Sequence, residues 1–366
     1  DGFTHAMKLY QHKNYSAAQK AFRNFIAHSQ SEDDALLRED ARYYAAICAM
    51  KLYNRDVQHL IESFIHDHPE NPNINQASFQ LANYYYRKTK YRTALKWYEK
   101  VDRLSLPEEQ LSEYYFKKGF CHYARKDFST ADKAFYEIKD KNDFYGPLAK
   151  YFYSHIKYLN KQYQTALQGF QALSDHALFA KIVPFYITQI YLFQEKYDQI
   201  IDYAPPLLKE ITGERTNEIA RIIAEAYFKK ANYTKSLEYF NIYEKNVEEL
   251  NDVDFYKIGF SHHKTENYQK AASYLQEVIG VKDSLTQNAA FHLGMSFAKI
   301  GDKKRAKTAF GIASQNDFDE NITEEALFNY AKLCFELDYS PFNESINSFK
   351  KFINKYDDAG HLIEFS

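Results

Sequence analysis

The sequence predicts an all-α fold, a row of about ten helix hairpins stacked as an α-solenoid. Three observations predict it. Apolar residues recur at helical spacing through nearly the whole chain. The helices come as short pairs of near-constant length. Gly and Pro number only 11 and 8 in 366 residues, as a chain of helices requires.

The clearest pair runs from Asn75 to Val101, NQASFQLANYYYRKTKYRTALKWYEKV. Leu81, Ala82 and Tyr85 share one face of a first helix. Thr89 and Lys90 break the pattern. Ala94, Leu95, Tyr98 and Val101 then mark a second helix beginning near Tyr91. Small Ala82 and Ala94 let the two helices approach, and Tyr85, Tyr91 and Tyr98 fill the space beside them. A hairpin of this size cannot bury its own apolar surface, because a lone domain below about 40 residues rarely balances its chain entropy. Neighbouring hairpins must cover it.

Those neighbours are legible as an aromatic or apolar residue, a small or apolar one three later and a bulky one seven later. The sets are Tyr15/Ala18/Phe22, Val57/Leu60/Phe64, Tyr91/Ala94/Tyr98, Phe128/Ala131/Phe135 and Tyr163/Ala166/Phe170. Tyr197/Ile200/Ala204, Tyr233/Ser236/Phe240, Tyr268/Ala271/Leu275, Lys303/Ala306/Phe310 and a poorer Phe342/Ser345/Phe349 follow. First members are 34 to 42 residues apart. A period near 34 is that of the tetratricopeptide repeat. The chain resembles that family: Leu81-Ala82, Tyr85, Tyr91, Ala94 and Tyr98 stand where its consensus has Leu-Gly, Tyr, Tyr, Ala and Phe. Leu293-Gly294, Phe297, Ala306 and Phe310 match as well. The resemblance implies a right-handed superhelix, read here as one array over 1–366. Its parts are N-terminal hairpins to 72, central repeats over 73–210 with an irregular unit at 181–210, C-terminal repeats over 211–356 and an incomplete unit at 357–366.

A narrower likeness lies in 60–101, where a second helix ends in a Pro69-x-x-Pro72 link and an Ala-x-x-x-Leu-Ala helix follows. This is similar to repeats of bacterial envelope proteins, among them the Tol–Pal coordinator and the lipoprotein of outer-membrane assembly. The longer pattern resembles large periplasmic repeat proteins of the Bacteroidetes.

Composition bounds the partners. Net charge is −2, with charged residues at 26% and mixed in sign, so nothing points to a phosphate backbone. No apolar run of about 18 residues exists to span a membrane, so membrane contact is expected only through partners or an anchor outside this segment. The three cysteines, Cys48, Cys121 and Cys334, each lie in a first helix among apolar neighbours and read as buried hydrophobes.

Along the chain, His12-Lys13-Asn14 turns the first hairpin, and Pro69 and Pro72 stop the second helix of repeat two. Pro147 suits a first helical turn. Pro205-Pro206 predicts a shortened or kinked second helix in repeat six, since an interior Pro costs about 3 kcal/mol. Thr212-Gly213-Glu214 reads as a loop. Asn251 and Asp283 read as helix caps. Gly301-Asp302 reads as a hairpin turn, and Asp338 to Phe342 as a longer one. The closing DDAGHLIEFS exposes apolar residues without a polar cap, so further repeats or a docking partner are expected beyond it.

No phosphate loop, nucleophile elbow or His-Glu-x-x-His occurs. His66-Asp67-His68 offers two imidazoles and a carboxylate, but its place before Pro69 fits a solvated helix end. No catalytic residue, metal or cofactor is expected. What remains is the face that the resemblance assigns to ligands, lined by the first helices. Carried over, repeat three offers Phe79, Asn83, Tyr86 and Arg87. Repeat four offers Phe116, Phe120 and Tyr123, and repeat five Tyr151, His155 and Tyr158. Repeat six offers Phe185, Gln189 and Phe193, and repeat seven Arg221, Glu225, Phe228 and Lys229. Repeat eight offers Tyr256, Phe260 and His263, and repeat nine Phe291 and Met295. This aromatic stripe is expected to form a groove for an extended or helical protein segment; the alternative is that many rings pack on the next helix. The Lys/Asn carboxylate clamp of Hsp90-binding members is not restored, because Phe79 stands where the Lys belongs. The leading expectation is a non-catalytic protein-binding scaffold, periplasmic or outer-membrane-associated, in a bacterial envelope assembly. A cytoplasmic co-chaperone or adaptor is the alternative, and a solenoid-bodied enzyme finds no stretch left for its site.

Overall fold

The computed structural model describes residues 2–209, 214–337 and 344–356, and among these the fold is entirely helical. The chain divides into two compact bodies, Asp1–Phe179 and Ala180–Ser366. In the first body α1 (Gly2–Gln11) pairs with α2 (Tyr15–His28), and α3 (Ala35–Lys51) with α4 (Val57–Asp67). Then α5 (Ile74–Arg87) pairs with α6 (Tyr91–Tyr98), α7 (Glu108–Ala124) with α8 (Phe128–Tyr136), and α9 (Tyr145–Leu159) with α10 (Tyr163–Gln171). The second body pairs α11 (Val183–Phe193) with α12 (Tyr197–Tyr203), α13 (Glu214–Lys229) with α14 (Tyr233–Glu244), and α15 (Asp252–Lys264) with α16 (Tyr268–Leu275). It ends with α17 (Ser284–Ile300) on α18 (Lys303–Gln315) and α19 (Glu320–Leu337) on α20 (Glu344–Lys355).

The second helices begin where the repeat pattern places them. Tyr15, Val57, Tyr91, Phe128, Tyr163, Tyr197, Tyr233, Tyr268 and Lys303 are each the first residue of one. The small member of a set and the bulky one then lie on the same inner stripe. Ala18, Ala94, Ala131, Ala166, Ala271 and Ala306 are all 0% exposed, and Phe22, Tyr98, Phe135, Phe170, Phe240 and Phe310 at most 1%. Each such ring contributes about 1.5–3 kcal/mol by leaving water. Repeat two differs by one residue: Ile61, not Leu60, is buried between Val57 and Phe64. In this helix the position four after the first residue, not three, meets the core.

The hairpin turns share a device that the sequence hides. One left-handed residue sits in each of the nine described hairpin turns: Lys13, Tyr53, Thr89, Lys126, Lys161, Glu195, Ala231, Glu266 and Gly301, with φ between 55° and 88°. Only Gly301 adopts this conformation without a Cβ penalty, which for other L-residues is about 1–2 kcal/mol. Asn14, Asp127, Asn232, Asn267 and Asp302 follow close behind and cap the second helix, each accepting from the amide three residues on. Ala231→Gly is therefore expected to stabilise the second body by about 0.5–1 kcal/mol, after the entropy Gly adds to the unfolded chain. Urea unfolding checks this; a lowered midpoint would show that the turn holds no strain.

The other local expectations can be placed as well. Asn251 accepts from Asp254 N at 3.0 Å and Asp283 from Thr286 N at 2.7 Å, so both cap. The second helix of repeat six stops at Tyr203, and Pro205–Lys209 continues as a 3-10 turn. With no amide hydrogen on either proline, the α ladder cannot pass them. Thr212-Gly213, the Asp338–Phe342 turn and 357–366 lie outside the described residues. Within each body successive first helices touch, α5 on α7 and α7 on α9, then α15 on α17 and α17 on α19. The second helices pack on their own partner and on the next first helix, α6 on α7 and α8 on α9. First helices thus line the shorter side of each stack, and that is where the candidate residues stand.

Candidate protein-binding face

In the first body this side carries a connected row of rings. Phe116, Phe120 and Tyr123 fall on one stripe of α7 at helical spacing. Tyr86 of α5 meets Phe120 edge-on at 5.8 Å, and Phe152 of α9 meets Phe120 at 5.2 Å and Tyr123 at 4.9 Å. His155 Nδ1 lies 2.8 Å from the Tyr123 hydroxyl. Tyr151 stacks on Phe179 at 4.8 Å, and His155 leads on to Tyr158 at 6.1 Å. Edge-to-face pairs at these spacings add about 0.5–1.5 kcal/mol each beyond buried area. The row is thus both a surface and a brace between hairpins.

Exposure sorts the candidates. Tyr86, Phe120, Tyr123, Tyr151, His155 and Tyr158 are half-buried, and Arg87 is exposed. Phe79 and Phe116 are buried, at 0% and 6% exposure, and do not stand on an open wall. Phe79 packs on Tyr98 and Tyr114 at 6.3 and 6.4 Å; Phe116 fills the space between Phe135 and Tyr145 at 5.8 and 5.4 Å. Asn83 is buried too, and its amide is used internally. Its Oδ1 accepts from the Tyr98 hydroxyl at 2.7 Å, and its Nδ2 donates to Glu113 at 3.3 Å. These side chains face the next hairpin rather than the solvent. Burial pushes the Tyr86 phenol far above its ordinary range and the His155 imidazole below its own, so both are neutral near pH 7.

The second body mixes rings with closed ion pairs. Phe185 is half-buried with the Arg215 guanidinium 5.7 Å above it, Gln189 is half-buried, and Phe193 is 52% exposed. Arg221 pairs with Glu218 at 3.0 Å and approaches the buried Asp254 at 3.8 Å, while Lys257 pairs with Glu225 at 2.9 Å. Desolvation raises the Asp254 carboxyl against the pull of Arg221. Phe260 is flanked by Phe228 at 5.6 Å, Tyr256 at 5.7 Å and His292 at 4.7 Å. Phe291 is buried against Phe310 at 5.9 Å and belongs to the core. Met295 and His263 are half-buried, and Lys229 is exposed.

Phe152 was not among the sequence candidates although it joins the row at its centre. Its signal was its place one turn before Ile156 on α9. Tyr91 and Tyr163 extend the row from the second helices, at 6.0 Å from Tyr86 and 6.2 Å from Tyr158. Cys48, Cys121 and Cys334 are buried and unpaired, and burial pushes the Cys121 thiol up to about 12 and Cys48 up to about 11. The imidazoles of His66 and His68 diverge: His66 Nδ1 meets Asp67 at 2.9 Å, while His68 turns to Glu39 and Arg42. Among the described residues no group of three or more His, Cys, Asp or Glu could hold a metal, and no helix is long and apolar enough to cross a membrane.

The fold defined by this period, this second-helix register and these small-on-large pairs is an all-α array of tetratricopeptide-type hairpins. No family model matches the chain, and no curated protein does. Several solved structures are similar to it, two of them described as repeat proteins. The C-terminal part of a TPR repeat-containing protein from Cytophaga hutchinsonii is 14% identical with a TM-score of 0.48, covering 67% of this chain and 98% of that one. Pseudomonas aeruginosa PilF is 17% identical with a TM-score of 0.41, covering 56% and 90%. A tetratricopeptide repeat protein from Parabacteroides merdae is 14% identical with a TM-score of 0.31, covering 80% and 98%.

Proposed function

We propose that this chain is a non-catalytic scaffold that binds an extended or helical protein segment along its first helices, in a bacterial cell-envelope assembly. The observation that carries the reading is the half-buried ring row of the first body, from Tyr86 through Phe120 and Tyr123 to Tyr158. Rings that are braced from below and open above offer large contact area at low entropic cost, which is what protein interfaces favour. Neither a cofactor nor nucleic acid enters the reading. The envelope location rests on the narrower likeness of residues 60–101; a cytoplasmic adaptor is the competing placement, and fractionation of the native host separates the two.

Because Phe120 touches five other rings, its replacement would disturb packing as well as binding. A cleaner test places a photo-crosslinking amino acid at Arg87, Tyr158 or Phe193, and as control at the exposed Tyr136 of α8. The first three positions are expected to capture a common protein in native cells, and Tyr136 none. Equal capture from both sides would remove the first-helix face as the binding surface.

A further inference from the structure

Away from that face, the first body has a cavity of about 410 Å³ between α2 and α4, over α3. Ile26, Ala46, Leu60 and Phe64 form an apolar floor, and Arg23 and Arg42 stand at its mouth. Arg42 is aimed from behind. Its Nη1 lies 3.0 Å from His68 Nε2. A guanidinium only donates, so Nε2 accepts and the imidazole proton sits on Nδ1. Nδ1 in turn donates to Glu39 Oε1 at 3.3 Å, and Glu39 Oε2 accepts from Asn71 Nδ2 at 3.1 Å. The His68 side chain is only 12% exposed, so this relay is built into the fold.

Among the described residues Arg42 is the cation at the mouth that closes on no carboxylate. Asp67 on the same rim is hydrogen-bonded by His66 at 2.9 Å and feels the Arg42 charge without closing on it, and Arg23 pairs with Asp56 at 3.6 Å, so Arg42 is the donor left open to a guest. We infer that this cavity binds an organic carboxylate carried on an apolar body. A planar guanidinium fixed through one nitrogen still presents donors in the fork that a carboxylate matches. The floor accepts an alkyl or aryl group, in a volume within the small-ligand range. A neutral apolar guest would desolvate Arg42 without a partner, and a small inorganic anion would leave the floor wet. The site is separate from the ring row and does not depend on the scaffold reading.

The test titrates octanoate into the full chain by calorimetry, with octanamide and acetate as controls. Octanoate is expected to bind saturably, and each control about tenfold or more weakly, since one lacks the charge and the other the body. Arg42→Gln is expected to weaken octanoate about tenfold or more, and because it also ends the hydrogen bond to His68 its melting temperature is read beside that of the parent. Ser63→Glu, which sets a negative charge at the same mouth, gives a second variant with the same expected loss. N-acetyl-Leu-Phe with a free terminus, compared with its amide, distinguishes the source: tighter binding than octanoate marks a polypeptide C-terminus, weaker binding a free organic acid. Octanamide binding as tightly as octanoate, unchanged affinity in both variants, or no saturable binding of either acid overturns the inference.

Discussion

Phe310→Ala is expected to destabilise the second body by about 3–5 kcal/mol, the range for deleting a fully buried ring. Phe310 is 1% exposed on the inner stripe of α18. It faces Gly294 of α17 so closely that a Cβ on that glycine would lie 2.8 Å from the ring. Gly294 opposite has no side chain to fill the void, and Phe291, packed on the ring at 5.9 Å, is already buried in the same core. Collapse is therefore limited and the cavity term stays large. Phe310→Leu is expected to recover part of the loss. Phe335, 61% exposed on α19, provides the control, since its truncation should change stability by less than about 0.5 kcal/mol. Urea unfolding at pH 7 measures all three. Similar losses for Phe310→Ala and Phe335→Ala would mean that the stripe assigned here to the core is not what holds the repeat together.

That stripe was the most legible part of the molecule. A helix start, a small residue three on and a bulky one seven on are local facts, and the same three residues decide both the helix and its partner. Tyr91, Ala94 and Tyr98 could therefore be placed without knowing any neighbour. The ligand face was less legible because periodicity tells which side of its own axis a residue occupies, not what covers it. Phe79 and Tyr86 lie two turns apart on α5, yet Tyr114 of the next hairpin covers the first and leaves the second half-open. By position Asn83 reads as a groove donor, but its amide is held between Tyr98 and Glu113. The relay behind Arg42 was out of reach for the same reason. It joins Glu39, Arg42, His68 and Asn71, which only stacking of one hairpin on the next link brings together. The left-handed turn residues escaped because eight of the nine are not glycine, and the closed geometry of each hairpin imposes what composition does not announce.

Acidification is the second large effect expected, and it also falls on the second body. His292 lies against Phe260 at 4.7 Å and His263 at 5.4 Å, and its Nδ1 is buried with no hydrogen-bond partner among the described residues. Burial, with His263 and Lys264 nearby, pushes its pKa down to about 3. His262 stacks on Tyr274 at 5.7 Å and is pushed down to about 4 by burial and Lys270. Each folded value lies below the unfolded one near 6.5, so the unfolded chain binds the proton more readily. The stabilising contribution is complete above pH 6.5 and is lost as pH falls toward the folded values. Between pH 7 and pH 5 a histidine held neutral in this way is expected to cost the fold about 2 kcal/mol. Asp254 works in the opposite direction, because its raised carboxyl favours the proton in the folded state. The comparison must therefore be made within one variant pair. His292→Phe keeps the ring against Phe260 and removes the titration, so its stability should fall between pH 7 and pH 5 by about 2 kcal/mol less than that of the parent. An equal fall in both proteins would show that His292 takes up its proton without unfolding, and that the repeat opens there at little cost.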